Sequence, residues 1–167
     1  MTHVGARYEF ADKTSDYARL ALELAGLLAG ESDLIANAAN TTALIYDAVP
    51  RINWAGFYFL KDGVLVVGPF QGKPAFVRIT LGAGVCGTAA AQRTTLVVPD
   101  VHSFAGHIAC DAASRSEIVV PLVLENELLG VLDVDSPEPA RFDDADRRGL
   151  EALAAIFLAS QRPGLVR

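Results

Sequence analysis

Only two cysteines, Cys86 and Cys110, occur in 167 residues, too few for a disulfide framework, so free or redox-active thiols are the better expectation. Positive charge is also scarce. Lys plus Arg total 14 against 20 Asp plus Glu, a net charge of -6, which leaves no basic face for a phosphate backbone and excludes nucleic acid as an expected partner. No apolar run approaches the roughly 20 residues that span a bilayer. The longest, such as 118–124, are far shorter, and no membrane span is expected. The N-terminal stretch mixes charge with polarity and lacks the apolar centre of a signal peptide, so the expected location is the cytoplasm. Repeats, low-complexity segments and long linkers are missing too. With 51% apolar residues the expectation is a single domain over 1–167 with a sizeable core, residues 1–14 forming an N-terminal tail.

Apolar spacing predicts a helix over Ser15 to Ala29, ended by Gly30, and a second helix that Ser32 caps and Pro50 terminates. Alternating aromatics from Trp54 to Leu60, the Asp62-Gly63 turn and Val64 to Val67 predict a hairpin. Val77 to Leu81 and Thr95 to Val98 read as strands, with a short helix over Thr88 to Gln92 between them. Ile118 to Leu124 and Leu128 to Val134 flank a second hairpin turn, and Asp143 to Ser160 closes the chain as an amphipathic helix. Consecutive hairpins imply an α+β fold: a central antiparallel sheet with two N-terminal helices and a C-terminal helix packed on one side. The segment from Asp100 to Ser116 has no period yet holds His102, His107, Cys110 and Asp111, the profile of a functional loop.

Chemistry has three candidate centres. His107, as an imidazolium near Cys110, would favour a thiolate there, and a helix start after Cys86 would do the same at that sulfur. The plainer reading of either cysteine is a small buried hydrophobe. Asp133 and Asp135, two apart on a strand, share a face, and Glu117 begins the neighbouring strand. Together with Trp54 and Tyr58 these carboxylates could receive an ammonium group by charge pairing and cation-π contact. The competing reading makes Asp135 a turn cap with Ser136-Pro137 and Glu117 a solvated strand end. A zinc set of Cys86, Cys110, His102 and His107 is disfavoured because Cys86 has no close companion ligand, so no metal and no cofactor are expected. Gly82 to Gly87 imitates a dinucleotide loop but lacks the βαβ context and the downstream acid.

Taken together, several stretches resemble one family, the free methionine-(R)-sulfoxide reductases built on a GAF fold. They are Asn53-Trp54-Ala55-Gly56-Phe57-Tyr58, Gly68 through Ala75, Gly84-Val85-Cys86-Gly87-Thr88-Ala89, Asp100 through Pro121 with Gly106-His107-Ile108-Ala109-Cys110-Asp111 inside it, and Gly130 through Pro137. They run in order over most of the chain. The resemblance implies that Cys110 is the nucleophile and Cys86 a second redox cysteine. By the same resemblance Glu117, Asp133 and Asp135 hold the substrate's amino group and polarise its sulfoxide, and Trp54 and Tyr58 wall the methyl-sulfoxide pocket. It also implies a homodimer. One position departs: the family's usual third cysteine, after Lys-Pro-Ala, is Phe76 here.

The implied reaction is reduction of free L-methionine (R)-sulfoxide, an oxidative-stress chemistry. A thiolate attacks the sulfoxide sulfur, a carboxyl with a raised pKa protonates the departing oxygen, and Cys110 becomes a sulfenic acid. A Cys86–Cys110 disulfide, reduced by thioredoxin, or direct reduction by a small external thiol would complete the cycle without the third cysteine. The alternative from another class is a non-catalytic GAF sensor module that binds a small ligand.

Overall fold

The computed structural model describes residues 8–108 and 111–162. Helix α1, Lys13–Leu27, starts where Asp12 accepts the Ser15 backbone N–H and hydroxyl, so Lys13 and Thr14 belong to the helix and not to a tail. Helix α2, Leu34–Ala48, is capped by Asp33, which accepts from the Ala36 N–H at 2.8 Å. Ser32, the expected cap, instead gives its own N–H to Glu31. The helix stops short of Pro50, as the sequence requires.

Strands β1 (Trp54–Lys61) and β2 (Val64–Gly72) form the first hairpin, followed by β3 (Arg78–Thr80). Helix α3, Gly84–Gln92, begins four residues before the expected Thr88, which places Cys86 inside its first turn. Then come β4 (Leu96–Val98), a 3-10 turn (Val101–Ser103), β5 (Ser116–Leu124), β6 (Glu127–Ser136) and helix α4 (Asp144–Ser160). The six strands are antiparallel neighbours in the order β3-β2-β1-β6-β5-β4. Asp62-Gly63 and Glu125-Asn126 both adopt positive φ, the backbone of a two-residue turn that matches strand twist.

Side-chain alternation splits the core into two layers. Phe57, Phe59, Ile118, Leu132 and Val134 face α1, α2 and α4, so the two N-terminal helices and the C-terminal helix share one side, as expected. Trp54, Tyr58, Val119 and Val131 point the other way and meet Val85, Cys86, Ala89 and Ala90 of α3. The α+β fold with a central antiparallel sheet is therefore the observed one, with the short helix α3 covering the second face.

At the start of α4 the capping box of Asp143 and Asp146 satisfies orphan amides. Asp146, fully buried, also accepts from Tyr17 Oη (3.0 Å), Arg141 Nη1 (3.0 Å) and Lys13 Nζ (2.6 Å), tying α1 to α4. Arg141 has no exposed side-chain surface and would be left a buried, unpaired cation without this acid. We expect Asp146→Ala to cost about 3–5 kcal/mol of folding free energy, read as a lower urea midpoint at unchanged slope.

Candidate active site

Pairing register assembles the acids. Asp133 stands opposite Gly56 on β1 and Val119 on β5, while Asp135 stands opposite Trp54 and Glu117. Because partners across a ladder share a face, all three carboxylates lie on the α3 side of the sheet. Each is buried. Glu117 is thus no solvated strand end. Nor does Asp135 cap the following turn: Ser136 does so, its hydroxyl donating to the Arg51 carbonyl and accepting the Glu138 N–H.

Helix α3 lays Cys86 on this cluster. Its Sγ is 3.8 Å from Glu117 Oε1, and donor atoms of Cys86, Glu117 and Asp133 all lie within 4.8 Å of one another. Ile79, Ala83, Gly84, Val85 and Ile108 complete a narrow cavity around them, with room for about one water-sized occupant. Two carboxylate oxygens here, Glu117 Oε2 and Asp133 Oδ1, are buried with no hydrogen-bond partner among the described residues. His107 Nε2 comes to 3.4 Å from that Glu117 oxygen, but off hydrogen-bonding alignment.

Burial sets the protonation states. It raises Glu117, Asp133 and Asp135 well above the ordinary carboxylate range, and their mutual proximity adds to the effect. Below the ordinary range the acids are protonated whether the chain is folded or not. As pH rises toward their folded values the unfolded chain ionises first, so they subtract stability. Burial, and then the acids, also push the Cys86 thiol up. The expected thiolate at Cys86 is therefore not found, because desolvation outweighs the helix N-terminus. Burial likewise lowers His107, so a neutral imidazole stands where an imidazolium was expected. His102 is exposed on the 3-10 turn and is not among the described residues whose ligand atoms converge, in line with the zinc set that included it being disfavoured. Cys110, the expected nucleophile, lies outside the described residues, as does His3.

The aromatic wall lies on the same face. The Trp54 ring stacks on Tyr58 (5.9 Å between centroids) and on Phe70 (5.2 Å), and its Nε1 donates to the Lys73 carbonyl. Tyr58 Oη donates to the carbonyl of Phe76, whose own ring is exposed. Gly56 makes the stack possible: a Cβ there would collide with the Trp54 ring and with Phe70.

Asn53, Lys73 and Asp111, to which spacing assigned no role, form a latch beside position 110. Asp111 accepts from Asn53 Nδ2 (3.2 Å), Lys73 Nζ (3.2 Å) and the Ala113 N–H (2.9 Å), and Asn53 also donates to Ser114 Oγ. These donors, the Ala113 amide first, hold the Asp111 carboxyl below the usual aspartate range. Folding-linked charge at Asp111 is thus present at neutral pH and lost only as pH falls through that depressed value. Contacts 38 and 58 residues apart in sequence leave no local signature. We expect Asp111→Ala to free the segment around it, seen as faster hydrogen exchange of the Ala113 amide with little change in α1, α2 or α4.

Comparisons with known proteins bear on this arrangement. The GAF domain family matches residues 36–157. The chain is 56% identical over 144 residues to the free methionine-R-sulfoxide reductase of Escherichia coli, covering 86% of this chain and 87% of that protein. Its fold superposes with a TM-score of 0.89 on a free methionine-R-sulfoxide reductase from Neisseria meningitidis in complex with its substrate, at 41% identity over 94% of this chain and 95% of that one. A candidate GAF sensor protein from Burkholderia vietnamiensis is 64% identical, with a TM-score of 0.86 over 89% of this chain and 94% of that chain. The chain belongs to the free methionine-R-sulfoxide reductase family of GAF-domain proteins.

Proposed function

We propose that this protein reduces free L-methionine (R)-sulfoxide to methionine with electrons from thiols. The observation that carries the reading is the cluster of three buried carboxyls, Glu117, Asp133 and Asp135, against Cys86 and beside the Trp54–Tyr58 wall. An acid whose proton is held to higher pH by burial is what a departing sulfoxide oxygen needs.

Cys110 is the nucleophile in this reading. Its thiolate attacks the sulfoxide sulfur, the oxygen leaves as water with protons from the acid cluster, and hydration of the sulfur adduct releases methionine. Cys110 is then oxidised to a sulfenic acid and the substrate sulfur is reduced by two electrons. Cys86 stays a thiol until this point, since its surroundings disfavour the thiolate. A carboxyl that has given up its proton becomes a base, and Glu117 Oε1 is 3.8 Å from the Cys86 sulfur. Deprotonated there, Cys86 attacks the sulfenic sulfur, expels water and closes a Cys86–Cys110 disulfide. An external dithiol of low potential, thioredoxin being the fitting class, exchanges with that disulfide and restores both thiols. Phe76 occupies the place of the usual third cysteine, so Cys86 takes the resolving role.

The same acids set specificity. A free α-ammonium gives them a partner, whereas a sulfoxide within a peptide presents a neutral amide and leaves them unpaired, at about 1–3 kcal/mol per lost partner. The neighbour named as a candidate GAF sensor supports a second reading, ligand binding without turnover. Activity separates the two.

With dithiothreitol as reductant, free (R)-sulfoxide should yield methionine while the (S)-epimer and peptide-bound sulfoxide are left behind. Equal reduction of peptide and free substrate overturns the reading. Cys110→Ser should abolish turnover, and mass spectrometry after one turnover of the unaltered protein should find the 86–110 crosslink. Asp133→Asn should lower kcat by roughly 10²–10⁴-fold. The acid must hold its proton to act, so the rate should fall as pH rises through its raised value. A rate that climbs monotonically with pH contradicts acid catalysis.

A further inference from the structure

The buried cluster has an unusual composition for a substrate site. It combines one thiol and two carboxyls whose donor atoms converge within 4.8 Å, and two of its oxygens, Glu117 Oε2 and Asp133 Oδ1, are buried and unpartnered among the described residues. An orphaned buried acceptor costs free energy until something fills it. Both acids and Cys86 line the same narrow cavity. The spacing also suits an ion. Ligands on tetrahedral zinc, with sulfur at about 2.3 Å and oxygen at about 2.0 Å, stand about 3.5 Å apart. The Cys86 Sγ to Glu117 Oε1 separation is 3.8 Å.

We propose that Cys86, Glu117 and Asp133 bind a thiophilic divalent cation, zinc or cadmium, that competes with substrate and silences the site. Three protein ligands leave a fourth position open, as in zinc sites that keep an exchangeable ligand. One thiolate with two carboxylates selects borderline-soft ions over magnesium or calcium. This differs from the zinc set considered from sequence, since His102 is exposed on its 3-10 turn and takes no part. The neutral His107 imidazole stands beside the site, 3.4 Å from Glu117 Oε2. The ion and the substrate ammonium would require the same carboxylates, and an ion-bound Cys86 would be withdrawn from disulfide formation. The competition clause rests on the reductase reading; the binding clause does not.

The test is titration of the reduced, full-length protein with Cd²⁺, following the near-ultraviolet thiolate-to-cadmium absorption. A band saturating at one ion per chain is expected, retained in Cys110→Ser, lost in Cys86→Ser, and shifted to at least about tenfold weaker affinity in Asp133→Asn. A band that survives Cys86→Ser but vanishes in Cys110→Ser assigns the ligand to the other sulfur and overturns the proposal. Unchanged affinity in Asp133→Asn, where both thiols remain, overturns it as well, so it stays falsifiable if Cys86→Ser does not fold. Competition is read in single turnovers by pre-reduced protein, with no dithiol present to chelate the ion. Added Zn²⁺ should slow methionine formation, and excess sulfoxide should relieve the inhibition. If no methionine forms even without Zn²⁺, the reductase reading fails, while the cadmium titration still decides the site.

Discussion

Three carboxyl groups and a thiol held out of water between a β-sheet and a short helix are the constraint on which the second face of this protein is organised. Burying an acid in an apolar setting disfavours its charge, and three together reinforce one another. The result is a cluster of carboxyls that hold their protons to higher pH than they would in water. Such an arrangement subtracts from stability, and the larger apolar layer on the opposite face of the sheet, packed by α1, α2 and α4, carries it.

The division of labour between the two faces explains much of the architecture. Helices α1 and α4 are tied through the buried Asp146, whose partners Arg141, Tyr17 and Lys13 join the two helices into one layer. On the other face, α3 is short and its small residues Ala89 and Ala90 let it lie close to the strands, which brings Cys86 down to the acids. Gly87 belongs to the same device, since a side chain there would strike the Thr80 carbonyl. Asn53 and Lys73, each next to a strand end, fasten Asp111 of the irregular segment to the sheet. Rigid strands therefore carry the acids, and a latched loop carries the neighbouring residues.

The protonation pattern separates the roles that the sequence left merged. Both cysteines looked like candidates for thiolates, one through a helix start and one through an imidazolium. Burial reverses the first expectation and removes the charge from His107, so Cys86 is a protonated thiol. In the proposed cycle such a thiol stays unreactive until the acid beside it has given up its proton.

Periodicity alone was enough to read both hairpins, the order of helices and strands, and the shared face of Asp133 and Asp135, because alternation and turn chemistry are local. The motifs from Asn53 to Pro137 carried the family resemblance for the same reason. Element starts were less legible where several capping residues adjoin, as with Ser32 and Asp33, since the winner depends on which side chain reaches the amides. Placing Glu117 opposite Asp135, setting Cys86 above them and joining Lys73 to Asp111 belonged to the tertiary structure. Register, burial and long-range pairing arise only when distant segments pack, and those three set the charge state on which the chemistry turns.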